Sequence, residues 1–218
     1  MTRAEVLDRV ADLGVVAVIR MQDPRKLAEV VAAISAGGVK AIEVTMSVPN
    51  AVVMIGELAR SLPDDILLGA GTVTDVETAR AVIDAGARFV VSPVLSLAVV
   101  KLCTDAGVAC MPGCYTPTEI FSAWSAGADV VKVFPATALG PKYLKDLAGP
   151  FPQIRIMPTG GVSIDNVGEW VAAGAFAVGI GSDLLDKAAI AEGRYEVLTE
   201  RAARMTANFR SAKAALGR

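Results

Sequence analysis

Lys132 is the only charge within Val130-Val-Lys-Val-Phe-Pro135, a short run of β-branched and aromatic residues. Such a run reads as a buried strand. Burial disfavours an ammonium, so this side chain must reach an aqueous pocket, find a partner or give up its proton. A neutral, desolvated amine attacks carbonyl carbon, and the product is a Schiff base. Glu43 repeats the pattern as a lone carboxylate in Ala41-Ile-Glu-Val-Thr45. Side chains alternate along a strand, so Thr45 shares a face with Glu43, and Phe134 shares a face with Lys132. Glu43 can move protons for the amine, or it can simply neutralise it as a buried ion pair. Arg20 closes the apolar run Val15–Ile19, where it is either an anion clamp or a surface cation. Thr72 ends Gly69-Ala-Gly-Thr72 and serves either a ligand or a turn. Gly160-Gly161 and Gly181-Ser182 follow two more apolar runs. They are plain turns or, with Ser163 beside them, backbone cradles for a phosphate.

The chain has no histidine, which excludes Ser-His and Cys-His triads and any His-ligated metal. Cys110 and Cys114 lack a companion pair, so no metal site is read from them, although oxygen-ligated metals stay open.

These residues need elements to position them, and the chain supplies a repeat. Strand candidates are Val15–Arg20, Ala41–Met46, Leu67–Thr72, Arg88–Pro93, Ala109–Gly113, Asp129–Pro135, Arg155–Gly160 and Ala175–Ser182. Between them lie the helical segments Pro24–Ala36, Asn50–Ser61, Asp75–Ala85 behind Thr74, Ser96–Ala106, Pro117–Ala126, Pro141–Ala148 and Ile164–Ala173 behind Ser163. Gly86, Gly107 and Gly127 follow three of the helices at intervals of 21 and 20 residues, the length of one helix–strand unit. Eight strands alternating with helices give a parallel sheet covered on its outer face. A closed (β/α)8 TIM barrel fits better than an open sheet, because the unusual residues fall at the C-terminal ends of many strands, where that barrel builds its sites. An extra N-terminal helix, Arg3–Leu13, and a C-terminal helix flank the barrel. The latter has Tyr195, Leu198, Ala202, Met205, Phe209, Ala212 and Leu216 as an apolar seam expected to pack on the barrel wall. Residues 1–218 are expected to form one domain.

Composition narrows the partners. The net charge is −2 with both signs scattered, which argues against nucleic acid or an anionic membrane surface. Glu5, Asp8 and Asp12 precede the first apolar run, so the start does not read as a signal peptide, and no apolar stretch is long enough to span a bilayer. The odd count of three cysteines reads as reduced thiols in a cytoplasmic protein.

Taken in order, Ala41-Ile-Glu-Val-Thr, Gly69-Ala-Gly-Thr-Val, Ser92-Pro, Pro112-Gly, Val131-Lys-Val-Phe-Pro-Ala and Pro158-Thr-Gly-Gly-Val closely resemble the 2-keto-3-deoxy-6-phosphogluconate (KDPG) aldolase family. That family includes 4-hydroxy-2-oxoglutarate and 6-phosphogalactonate-type activities. The resemblance covers nearly the whole chain. It implies a (β/α)8 barrel, a homotrimer and a Schiff-base aldolase without metal or cofactor, acting on a small keto acid phosphate. It maps the Schiff-base lysine onto Lys132 and the general acid/base onto Glu43. Thr72, Pro93 and Phe134 fall where the family shapes its pyruvate pocket, and Thr159, Gly160, Gly161, Gly181 and Ser182 fall where it holds the phosphate. Many gluconate-type members carry Arg four residues after the catalytic Glu, where this chain has Ser47; galactonate-type members look more similar, with Arg on the first strand. Arg20, helped by Thr72, is therefore expected to clamp the substrate carboxylate. Two other classes remain in view: a phosphate-binding barrel isomerase or epimerase that uses Glu43 and Lys132 without a covalent step, and a non-catalytic sugar-phosphate binder.

Overall fold

The computed structural model describes residues 1–217. Its strands are β1 (Val15–Ile19), β2 (Ala41–Thr45), β3 (Leu67–Gly71), β4 (Phe89–Val91), β5 (Ala109–Met111), β6 (Gly113–Cys114), β7 (Val131–Val133), β8 (Ile156–Pro158) and β9 (Val178–Ile180). Six are hydrogen-bonded in the order β5-β4-β3-β2-β1-β9, and β6-β7-β8 form a second group. All pairings are parallel. The expected fifth strand is split at Pro112, which has no N–H to give to the ladder; its carbonyl still accepts from the Lys132 N–H at 2.9 Å. On the other side, a parallel bridge joins Thr159 to Gly179, and the Phe176 N–H reaches the Ile156 carbonyl at 2.9 Å. These links complete an eight-position (β/α)8 barrel.

Helices α1 (Arg3–Leu13), α2 (Leu27–Ala36), α3 (Ala51–Ser61), α4 (Val76–Asp84), α5 (Leu97–Asp105), α6 (Pro117–Ser125), α7 (Gly140–Ala148), α8 (Val167–Ala172), α9 (Lys187–Glu192) and α10 (Glu196–Ala215) follow the expected order, with a few corrections. The cap of α4 is Asp75, not Thr74; its carboxylate accepts the Thr78 N–H. Pro24–Lys26 is a 3₁₀ turn ahead of α2. The helix after β8 begins at Val167, because Ser163 and Asn166 exchange hydrogen bonds in a turn before it. Short α9 was not expected, although Asp186 caps it by accepting the Ala189 N–H.

Two apolar layers fix the barrel. The outer faces of the strands pack under the helices. Inside, Val16, Ala41, Leu67, Phe89, Met111 and Met157 form a floor that α1 closes with Val6, Leu7 and Val10. Burying each large side chain of this kind contributes roughly 1.5–3 kcal/mol. A capping box at Thr2 and Glu5 starts α1, and Arg3 grips the Asp129 carboxylate at 2.8 and 2.9 Å. The α10 seam packs on α2 and α8 with Leu198, Ala202, Met205 and Phe209 buried, which puts that face on the barrel wall.

Candidate active site

The alternation that sends Val16, Ala41 and Leu67 into the barrel floor continues upward. One step along each strand, it sends Glu43 inward from β2 and leaves Gly69 opposite it on β3. On β7, Lys132 pairs in register with Gly113 and Met157. Small residues make the room. A Cβ on Gly71 would stand 1.9 Å from Glu43 Oε1, and one on Gly69 2.4 Å from the Phe89 ring. The two glycines of β3 thus leave the space in which the Phe89 ring and the Glu43 carboxylate sit.

Lys132 and Glu43 are both buried, at 1% and 0% side-chain exposure, with Lys132 Nζ 3.8 Å from Glu43 Oε1. That is an ion contact beyond hydrogen-bond length. Neither carboxylate oxygen of Glu43 has a hydrogen-bond partner among the described residues. Burial raises the Glu43 pKa above the ordinary carboxylate value, and the positive charges of Lys132 and Arg20 pull it partly back. A carboxyl in this setting keeps its proton to higher pH than a solvated one.

The Phe134 ring centroid lies 5.1 Å from Lys132 Nζ, and Phe134 also lines a cavity of about 720 Å³ at the strand ends. Arg20, Thr159, Gly160, Gly161, Gly181 and Ser182 line the same cavity. Thr159 Oγ1 is buried without a partner among the described residues, and Gly179 leaves it space, since a Cβ there would come within 2.2 Å. Gly160 and Gly161 have φ of 84° and 76°, a left-handed pair that turns the chain into the cavity wall.

Lys132 and Glu43 are not themselves in the lining of this cavity, and other expected residues also stand off it. Thr45 is buried, its hydroxyl donating to the Ile19 carbonyl at 2.8 Å and lying 2.6 Å from Ser47 Oγ. It braces β1 against β2 and has no free donor to offer. Thr72 sits at φ 62°, a left-handed conformation costly for a β-branched residue, and together with Pro93 it lies outside the cavity lining. Ser163 Oγ accepts the Asn166 N–H at 3.1 Å, and Ser163 is not in the cavity lining. The sequence reading missed Lys26 and Lys187, which also line the cavity. Lys26 is committed to the carbonyls of Ile190 and Ala191, at 2.8 Å each. Lys187 directly follows Asp186, the cap of short α9, an element the sequence reading did not include.

The three cysteines are free and buried, and burial pushes the Cys114 thiol up to about 12, which leaves it a poor nucleophile. Among the described residues, no three His, Cys, Asp or Glu side chains gather as a metal site, and no helix is long and apolar enough to cross a membrane.

A family model described as "KDPG and KHG aldolase" matches residues 6–200. This chain belongs to the KDPG and KHG aldolase family. Among its relatives, the 2-dehydro-3-deoxy-phosphogluconate aldolase of Treponema pallidum (strain Nichols) is 38% identical over 200 residues, covering 91% of this chain and 93% of the relative. The 2-dehydro-3-deoxy-6-phosphogalactonate aldolase of Escherichia coli (strain K12) is 34% identical over 173 residues, or 79% and 84% of the two chains. A KDPG aldolase from Legionella pneumophila, solved with pyruvate captured at low pH as a covalent carbinolamine intermediate, superposes with a TM-score of 0.85 at 30% identity, covering 92% of this chain and 97% of that one. The family's barrel and the strand-end cavity described above thus occur in one molecule.

Proposed function

We propose that this KDPG and KHG aldolase family member is a Schiff-base aldolase. It cleaves a 2-keto-3-deoxy-6-phospho sugar acid, of the gluconate or the galactonate series, to pyruvate and glyceraldehyde 3-phosphate. The observation that carries the reading is the buried Lys132–Glu43 pair, 3.8 Å apart with both carboxylate oxygens unpartnered among the described residues, and joined to the open cavity by Phe134, whose ring lies 5.1 Å from Lys132 Nζ. A purely structural ion pair would close those oxygens with hydrogen bonds.

In this reading, deprotonated Lys132 attacks the C2 ketone, and loss of water leaves an iminium. Glu43 takes the C4 hydroxyl proton, directly or through a water. The C3–C4 bond then breaks, its electron pair flows to the iminium nitrogen, and the aldehyde leaves. Protonation of the enamine at C3 and hydrolysis release pyruvate and restore the amine. Arg20 clamps the C1 carboxylate, with Thr72 and Pro93 walling the pyruvate end alongside Phe134. Thr159, Gly160, Gly161, Gly181 and Ser182 take the phosphate. Thr45 supports Glu43 from the same strand.

The relatives' names span both sugar series, and 4-hydroxy-2-oxoglutarate, which yields pyruvate and glyoxylate, is a second substrate in the same pyruvate chemistry. The test is kcat/KM for wild type and Arg20→Ala on the two 6-phospho acids and on 4-hydroxy-2-oxoglutarate. Turnover of at least one phospho acid is expected, with KM raised on every substrate in the variant because the pyruvate end is common to all. An unchanged KM in Arg20→Ala removes the clamp from Arg20.

The same reading has the chain working as one barrel domain in the cytoplasm and as a homotrimer. Exposed Val94, Leu97, Tyr115 and Phe121, on neighbouring units around β4 to α6, supply an apolar face suited to a second copy. Sedimentation at three chain masses is expected, and a monomer at micromolar concentration contradicts it.

A further inference from the structure

The loops that line the far end of the cavity are Thr159–Val162, after β8, and Gly181–Ser182, after β9. Neither is a regular element, yet an anion held between them needs both at one spacing. The contacts that set this spacing converge on α10. Arg201 Nη1 donates to the Asp183 carbonyl at 3.0 Å, and its Nη2 donates to the Asp186 carboxylate at 2.6 Å. The Asp183 carboxylate accepts the Ile164 N–H at 2.7 Å and so ties the β9 loop to the β8 loop. Asn208 Nδ2 donates to the Ile164 carbonyl at 2.8 Å. Asn166 Nδ2 then donates to the Gly161 carbonyl at 2.8 Å, which carries the chain of contacts to the cavity wall.

Arg201 and Asn208 are two turns apart and share one face of α10. Between them Arg204 meets Asp165 at 3.3 Å, both largely exposed, a pair that contributes little. This polar flank is separate from the apolar seam. Leu198, Ala202, Met205 and Phe209 already anchor the helix, so docking α10 does not require Arg201. A charged fork spent on one carbonyl and one carboxylate of the same loop fixes geometry more than it adds packing.

We propose that α10 positions the two anion-holding loops, and that Arg201 is the positioning residue for the phosphate end of the substrate. The proposal rests on the phosphorylated-substrate reading above.

The experiment compares Arg201→Met, Arg201→Lys and Asn208→Ala with wild type on a 6-phospho keto acid and on 4-hydroxy-2-oxoglutarate. Borohydride trapping with pyruvate, which does not use the phosphate end, is run on the same preparations. Arg201→Met is expected to raise KM for the phospho substrate by about 10-fold or more, because a misplacement of about 1 Å in a binding loop is felt at that level. Its kcat, its KM for 4-hydroxy-2-oxoglutarate and its pyruvate adduct yield should stay within about twofold of wild type. Arg201→Lys should recover part of the loss, since one ammonium reaches one of the two acceptors, and Asn208→Ala should shift KM in the same direction by less. An unchanged KM for the phospho substrate overturns the proposal, as does an equal loss on both substrates with a falling adduct yield, which marks Arg201 as merely structural. If Arg201→Met does not fold, the other two variants decide by the same ratio of KM values. If wild type forms no pyruvate adduct, the aldolase reading fails by itself. The positioning claim is then read from inorganic phosphate binding: weaker in the variants if it holds, unchanged if it does not.

Discussion

Glu43 is placed against its own ionisation. It is fully buried on β2, both its oxygens are unpartnered among the described residues, and desolvation holds its pKa above the usual carboxylate range despite the nearby charges of Lys132 and Arg20. The folded protein therefore binds this proton more tightly than the unfolded chain does. The penalty is absent below the unfolded value of about 4.3, grows as pH rises from there, and is complete above the folded value. Glu43→Gln removes the ionisation. Its Tm should match or exceed that of wild type at pH 8 and converge with it near pH 4. Its kcat should fall by about 10²–10⁴-fold, the usual contribution of a positioned acid–base group. The wild-type kcat/KM profile should carry an acidic limb above the ordinary carboxylate range, and that limb should vanish in the variant. A Gln variant with wild-type kcat would remove Glu43 from the mechanism. The burial and contact of Lys132 and Glu43 were legible in the sequence because a charge in an apolar run has few bland explanations. Thr45 was legible as an inward residue but not as a committed one, since the carbonyl that takes its hydrogen bond belongs to Ile19 on another strand.

At the scale of elements, β3 is shaped by what it lacks. Gly69 and Gly71 leave the volume that Phe89 and Glu43 occupy. Gly71→Ala forces a methyl onto Glu43, whose carboxylate must move away from Lys132. Overpacking of this kind costs typically 1–3 kcal/mol. The variant should lose stability in that range in urea unfolding and lose kcat at least as severely as Glu43→Gln. A Gly71→Ala enzyme with normal stability and kcat would show that the crowding is relieved elsewhere. The order of strands and helices was readable because glycine and proline mark their ends. Gly86, Gly107 and Gly127 have φ of 107°, 67° and 96°, the left-handed turn after a helix that the spacing implied. The split at Pro112 and the short α9 were harder to see. The first depends on which N–H the ladder needs at that point, and the second is six residues long, too short for periodicity to show.

The whole molecule explains why the chemistry sits at one end. Below Lys132 and Glu43, α1 plugs the barrel with Val6, Leu7 and Val10 against an apolar floor, which excludes water from that side. Above it, the cavity opens between the loops after β1, β7, β8 and β9, on the side that α10 braces. The eightfold repeat made the closed barrel legible, but not which loops converge on the cavity, because those contacts join residues far apart in the chain. The central claim is that Lys132 becomes covalently bound to the keto acid. Borohydride reduction in the presence of pyruvate, followed by intact mass and peptide mapping, tests it most directly. One pyruvate-derived adduct per chain on the Lys132 peptide, absent in Lys132→Ala, is the predicted result. No adduct in wild type, or an adduct that persists in Lys132→Ala, would contradict the account.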